Sequence, residues 1–499
     1  MNRNNKFYVA TAIIYVNDKP HIGNALDYLT ADVLARHAKR QGKEVIFSTG
    51  TDEHGAKIAE KAAENGQTPQ EFADSNAAKL KVLLEKMNTI NNRFVRTTDP
   101  GHERRSQIIW EKLKAYIYKE KFEGWYCVGC EEYKTDTVVQ ETGGKCPDHN
   151  RAYDKLTEEN YFFKLSSFSL QIKEAIKSQQ LRIVPAFRAN EILNLVDEGL
   201  NDISVSRPKD KISWGIPVPG DDSQVMYVWF EALMNYITIL GYPEHPDFER
   251  FWPADVQVIG KGILRFHAAI WPAMLIGLGL ELPKTLYVHG YATANGQKIS
   301  KSLGNAIDPV EIIDKYGVDA YRYYFLRHVP SYDDGDFSVE RFEAVYNGEL
   351  ANELGNAVSR VASMIARYQD NVIGDVKEMS HDIDTYHQAI DDCRFDRALE
   401  IVWEHVSELN KYLELQKPWQ VAKTDPEHLK DILAYAAGSL IEIADILWPF
   451  MPATARTIRD TFETGILRPL AKPLFPRLDI QTPKVETLRS ETSNEQPAS

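Results

Sequence analysis

The stretch from Phe7 to Gly42 leaves the backbone one arrangement. Phe7 to Val16 is apolar apart from Thr11, and beyond Pro20-His21-Ile22-Gly23-Asn24 the residues Leu26, Leu29, Val33 and His37 recur at helical spacing until Gly42. This pattern predicts a strand, a tight loop and a helix. At such a junction the unpaired backbone N–H groups and the positive end of the helix dipole favour a phosphate. Gly23 would let a flat ring or a phosphate come close to the backbone, with His21 and Asn24 supplying directed hydrogen bonds.

Strand and helix signals continue to alternate, as in a parallel α/β sheet. Glu44 to Thr49 reads as the second strand and delivers Gly50-Thr51-Asp52-Glu53-His54-Gly55 to its carboxyl end, where open α/β sheets place their ligands. Thr68-Pro69-Gln70-Glu71 is a capping box with proline at the first helical position, so a helix starts there. From about Trp125 to Gly220 the chain turns to short, turn-rich pieces, which reads as an insertion. The sheet is expected to resume near Val225, at Asp255 to Ile259 and at Thr285 to Gly290. After Ser331 strand signals give way to long amphipathic helices, and Gln481 to Ser499 is polar enough to be read as a disordered tail.

Just beyond the last strand signal lies Lys298-Ile299-Ser300-Lys301-Ser302, two lysines and two serines on a loop flanked by Gly296 and Gly304. Such a loop can carry ammonium groups to a polyphosphate as point charges. The chain's 499 residues exceed what one hydrophobic core usually serves. Its net charge of −14 argues against loose nucleic-acid binding while leaving room for a local, shaped site. No stretch is long and apolar enough to span a bilayer; the best, Ala268 to Leu280, is short and holds Pro272. Met1 to Lys6 leads straight into a strand pattern rather than a signal peptide.

The insertion holds Cys127-Val128-Gly129-Cys130 and, after fifteen residues, Cys146-Pro147-Asp148-His149. Three thiolates and an imidazole at CxxC and CxxH spacing would close one tetrahedral zinc site, structural because no coordination position is left open. The bland alternative is three unpaired cysteines and a surface histidine, but unrelated residues have no reason to fall in two turn-forming knuckles. A reducing cytosol follows as the expected compartment. Cys393 stands alone, with packing as its default role.

In this order and context, His21-Ile22-Gly23-Asn24 and Lys298-Ile299-Ser300-Lys301-Ser302 resemble the two signatures of class I aminoacyl-tRNA synthetases. The stretch Ala10 to Asn24, Gly50 to Gly55, Val228 to Ile237 and the run ending at Ser302 are similar to the methionyl family in particular, and the similarity continues through Trp419. The related enzymes for leucine, isoleucine and valine carry a far larger editing insertion. The resemblance implies a Rossmann-type parallel-sheet catalytic domain (1–118 and 223–333) and a zinc-bearing insertion (119–222). It also implies an all-α helical-bundle anticodon-binding domain (334–480), with 481–499 as the tail.

By the same resemblance methionine would be activated with ATP and transferred to tRNA(Met). His21, Gly23, Asn24, Lys298 and Lys301 would handle ATP and its Mg2+, with His21, Asn24 and the two lysines catalytic. Ile13, Tyr15, Trp229, Ala232, Tyr236 and His267 would surround the methionine side chain, and Asp52 would hold its ammonium; each aromatic could otherwise be ordinary core. Four positions depart from the family pattern: Asn24 for histidine, Gly262 for aspartate, Glu231 for aspartate and Ile299 for methionine. A catalytically weakened tRNA-binding paralogue, favoured only by Asn24 and Gly262, and another small class I synthetase are the alternatives.

A hundred degrees per residue gathers Asn352, Asn356, Arg360 and Arg367 on one helix face and Leu354, Val358, Val361 and Ile365 on the other. A polar face is ordinarily just solvated. Here the resemblance places the anticodon-reading residues at Asn356 and Arg360 and the stacking aromatic at Trp419, a combination suited to unpaired bases. A monomer is expected.

Overall fold

The computed structural model describes residues 5–17, 20–127, 129, 132–147, 150–294, 296–298, 307–374, 376 and 383–479. Its centre is a seven-stranded sheet ordered Ile14–Tyr15, Glu44–Asp52, Lys6–Thr11, Val256–Gly260, Thr285–His289, Arg182–Val184, with Arg93–Arg96 also paired to Glu44–Asp52. Every pairing is parallel. Both faces are covered, as a parallel sheet requires. Successive side chains point opposite ways: Val9, Phe47, Val258 and Tyr287 enter one core, and Tyr8, Ala10, Ile46, Ile259, Leu286 and Val288 enter the other.

The helix α1 (Ala25–Arg40) follows the first loop and buries Leu26, Leu29 and Val33 as the spacing predicts. The Thr68 capping box is present, with Pro69 opening the helix Pro69–Lys86. In the expected insertion, Ile117–Cys127 and Asp154–Phe163 form a long antiparallel hairpin with Glu132–Lys134 and Ile203–Ser204 on its edges. Part of that stretch returns to the main sheet, because Arg182–Val184 pairs with Thr285–Tyr287. The segment around Val225 departs from expectation: Asp221–Met226 pairs antiparallel with Ser206–Pro208 and Pro217–Val218 in a small separate sheet. Beyond Ser331 one short strand, Gly335–Phe337, still pairs with Ala292–Ala294.

The rest is helical. A π-helical stretch, Tyr346–Gly355, runs into Asn356–Gln369, and Phe395–Gln416, Pro426–Leu447 and Pro452–Phe462 pack beside it. Leu354, Val358, Val361 and Ile365 are wholly buried, while Asn352, Asn356 and Arg367 are exposed and Arg360 is half-buried. One apolar core runs without a break from α1 and one sheet face into these helices.

Arg322, with no exposed surface, fastens the join. Its guanidinium donates to Phe450 O (2.6 Å), Pro449 O (2.9 Å) and Met87 O (3.2 Å) and pairs with Asp32 on α1. Among the described residues no helix is long and apolar enough to cross a membrane.

Candidate functional site

At the carboxyl ends of the central strands a cavity of about 330 Å³ opens, lined by Ala12, Ile13 and Ile14, by His21, Gly23, Asn24, Asp27 and Tyr28, by Trp229, and by Gly260, Gly262, Ile263, His289, Tyr291 and Ala292. The loop before α1 is wound as a 3-10 turn, Ile22–Asn24, closed by a capping box. Gly23 N donates to His21 Nδ1 (3.1 Å) and His21 N donates to Asn24 Oδ1 (3.1 Å). Two consequences follow. With Nδ1 accepting, the neutral imidazole carries its proton on Nε2, and with Oδ1 accepting, Asn24 keeps its NH2 group as a donor. Asn24 therefore has a structural task that needs an acceptor at this position.

Of the residues expected around a methionine side chain, Ile13 and Trp229 line the cavity. Trp229 stacks on Phe266 at 4.3 Å between centroids. Ala232, Tyr236 and His267 are buried in the core beneath, where Tyr236 Oη and His267 Nε2 lie 2.7 Å apart. Burial pushes the His267 imidazole down to about 4, so it is neutral and hydrogen-bonds rather than carries charge. Tyr15 and Asp52 face each other across paired strand ends, Tyr15 half-buried and Asp52 buried.

The lysine loop is described only at its root. Gln297–Lys298 pairs antiparallel with Ala292–Ala294, and Asp336 Oδ1 accepts from Gly296 N (2.7 Å) and Thr293 Oγ1 (2.8 Å). Lys301 and its neighbours from Ile299 onward lie outside the described residues.

Three features were missed by sequence reasoning. His289 Nε2 stands 3.0 Å from Asp27 Oδ1 in the cavity wall. Burial opposes a charge on this imidazole, but the Asp27 carboxylate and the Gly290 carbonyl raise it above its ordinary value. Glu231, wholly buried, bonds two imidazoles, His54 Nδ1 at 2.8 Å and His102 Nε2 at 2.9 Å. Burial works to raise this carboxyl, yet the two histidines bring it below its usual value. Gly262 leaves room that a side chain would take, and the Tyr291 hydroxyl fills it. The only signal for the first was the His289-Gly290 pair in an otherwise recognised run.

In the insertion, Cys127 and Cys146 are buried in one small cluster with Tyr153. Cys146 O accepts from Asn150 N (2.7 Å) and Cys146 N donates to Arg151 O (2.8 Å). Cys130 and His149 lie outside the described residues, and no group of three or more His, Cys, Asp or Glu side chains gathers for a metal among those described. On the helical domain the Arg360 guanidinium lies 5.5 Å from the ring centre of Trp419, which is 38% exposed. Asn356 begins the same helix as Arg360 and is exposed on that side of the sequence pattern.

Residues 7–156 and 150–362 match the sequence model of "tRNA synthetases class I (M)", and 365–469 match the "anticodon binding domain of methionyl tRNA ligase". A methionine–tRNA ligase of Thermotoga maritima is 40% identical over 97% of this chain and 83% of its own length. One from Brucella melitensis is 39% identical over 95% of this chain and 98% of its own. Among solved structures, Mycobacterium tuberculosis methionyl-tRNA synthetase in complex with methionyl-adenylate superposes with a TM-score of 0.88 at 34% identity, over 95% of this chain and all of that one. Its free-state form gives 0.82 at 30% identity, covering 95% of this chain and 99% of that one.

Proposed function

The chain belongs to the methionine–tRNA ligases, and from that premise we propose how its own residues divide the work. The family's reaction joins methionine to tRNA at the expense of ATP. A methionine carboxylate oxygen attacks the α-phosphorus, the bond to the bridging oxygen breaks, and pyrophosphate leaves. A ribose hydroxyl of the terminal adenosine of tRNA then takes the acyl group from the adenylate, and AMP departs. Neither step needs a protein nucleophile. What accelerates them is positioning together with donors aimed at growing phosphate charge.

The observation that carries this assignment is the single cavity that joins His21, Gly23 and Asn24 to Ile13 and Trp229. His21 Nε2–H and the Asn24 amide donate to phosphate oxygens; the loop's backbone and Gly23 allow close approach. Lys298 and Lys301 supply positive charge, and the Mg2+ that accompanies ATP offsets the polyphosphate. Trp229, Ile13 and Tyr15 hold the thioether, whose contacts with aromatic rings are worth about 0.3–1.5 kcal/mol each. Ala232, Tyr236 and His267 form the floor beneath, and Asp52 takes the substrate ammonium.

Asn356, Arg360 and Trp419 read the anticodon of tRNA(Met). The four knuckle residues Cys127, Cys130, Cys146 and His149 hold one structural zinc; the shared burial of Cys127 and Cys146 and the bonds of Cys146 to Asn150 and Arg151 support this. Zinc there knits two turns and takes no part in the reaction. The domain limits 1–118, 119–222, 223–333 and 334–480 serve as a working division. A monomer in the cytosol suits a chain whose cavity and anticodon face are both its own. The paralogue alternative leaned on Asn24 and Gly262, and the capping role of Asn24 removes half of that support.

The test is methionine-dependent ATP–pyrophosphate exchange, with leucine, isoleucine, valine and cysteine as controls and Lys301→Ala beside the parent. Exchange with methionine alone, collapsing in the variant, is expected. Absence of exchange from folded, zinc-loaded protein would sink the assignment.

A further inference from the structure

The cavity wall contains one contact that the assignment above leaves unused. A β-carbon placed on Gly262 would sit 2.1 Å from the Tyr291 hydroxyl and 3.3 Å from its Cζ. No real side chain survives at 2.1 Å, so the phenol occupies the position that any larger residue at 262 would claim. Both residues line the cavity beside His21, Asn24, Asp27 and His289.

The residue is held at its ring and at its backbone. Lys261 Nζ lies 4.7 Å from its centre and pairs with Asp334 at 2.8 Å, while Asp334 Oδ1 accepts from the Tyr291 backbone N–H at 2.8 Å. Yet Tyr291 is 41% exposed, one of the most exposed large aromatics among the described residues. A ring fixed in position but left open to a cavity is set to touch what enters it, since little further ordering is needed on binding.

We infer that Tyr291 is a nucleotide-binding residue, its hydroxyl reaching an oxygen of the bound nucleoside phosphate from the space that Gly262 vacates. This rests on the ATP-handling assignment of the cavity and adds a residue to it. Glycine at 262 admits the phenol, and a side chain there would push the hydroxyl out of this place. The methionine contacts are assigned to other residues, Ile13 and Trp229 among them, so a change at Tyr291 acts on the nucleotide.

The test compares Tyr291→Phe, Gly262→Ala and the double variant, each checked for native circular dichroism. Two readouts are taken: KM for ATP and for methionine in pyrophosphate exchange, and the equilibrium Kd for ATP by calorimetry. Tyr291→Phe, which removes only the hydroxyl, should raise both ATP values about three- to tenfold, as the loss of one hydrogen bond does, and leave the methionine KM in place. Gly262→Ala should do the same by displacing the hydroxyl, and the double variant should be no worse than either single one. An ATP Kd unchanged in Tyr291→Phe would overturn the inference, as would losses that add. Absence of exchange in the parent with ATP binding intact would instead count against the ligase assignment, and the calorimetric comparison would still decide the role of Tyr291.

Discussion

Asp32 and Arg322 meet at 2.7 Å with neither side chain reaching solvent. Asp32 sits on α1, the helix that follows the His21–Asn24 loop, and Arg322 grips carbonyls at Pro449 and Phe450 in the helical domain. The same carboxylate also takes Arg36 Nε at 2.7 Å and Ile90 N at 2.7 Å. One helix thus carries the proposed nucleotide loop at its start and the domain clamp further along. Arg322→Met leaves Asp32 short of a partner and strips three buried carbonyls of their donor. Removing one member of a buried pair typically costs about 3–5 kcal/mol. Urea unfolding should show a loss in that range, and a loss below about 1 kcal/mol would mean the clamp is dispensable.

The Asp27–His289 pair sets a pH dependence. Because the folded imidazole is raised above its ordinary value, its stabilisation is fully present below the unfolded pKa of about 6.5 and disappears as pH rises through the folded value. Melting temperatures of the parent and Asp27→Asn should therefore differ most below pH 6.5 and converge on the alkaline side. A difference that stays constant with pH would show that the pair does not titrate as described.

Glu231 bridges His54 and His102 and lies on the short helix Val228–Ala232, which also carries Trp229. In Glu231→Gln one end of the amide presents N–H where a carboxylate oxygen accepted, so one imidazole must turn or change tautomer. The helix loosens with it. The KM for methionine should rise severalfold while that for ATP moves much less, and steady-state exchange kinetics separate the two. Equal changes in both constants would point to general destabilisation instead.

At the proposed anticodon face, Trp419→Ala removes the ring over which Arg360 lies. Base stacking on an aromatic is worth about 1–3 kcal/mol. Aminoacylation should show a KM for tRNA raised about five- to more than a hundredfold relative to the KM for methionine. If tRNA charging is indifferent to this change and to Arg360→Ala, the face serves only packing.

What the sequence made legible was local. The Thr68 capping box, the strand–loop–helix around Gly23 and the two faces of Asn356–Gln369 each depend on spacing within a few turns, and each is present. What stayed hidden was long-range. Glu231 finds His54 and His102 across 177 and 129 residues of chain, and no periodicity announces such a meeting. Arg182–Val184 is three residues long and its partner strand begins a hundred residues later, so length and flanking turns spoke against a sheet strand. The role of Asn24 was hidden because its side chain answers to the backbone three positions away as much as to a ligand.

The π-helical winding of Phe266–Ile270 and of Tyr346–Gly355 carries a consequence for how this fold tolerates change in length. A turn bonded from i to i+5 holds more residues than the α-helix around it and is usually kept where a side chain must be aimed. His267 lies inside the first, and the second ends where Asn356 begins. Such a turn already holds an extra residue, so deleting one residue inside it would let regular bonding return while the helix beyond keeps its bearing. What would be lost is the local aim of the side chains within the turn, His267 among them. A single-residue gap is absorbed at these two places, whereas in the regular helix on either side it would turn everything beyond it by about 100° about the helix axis.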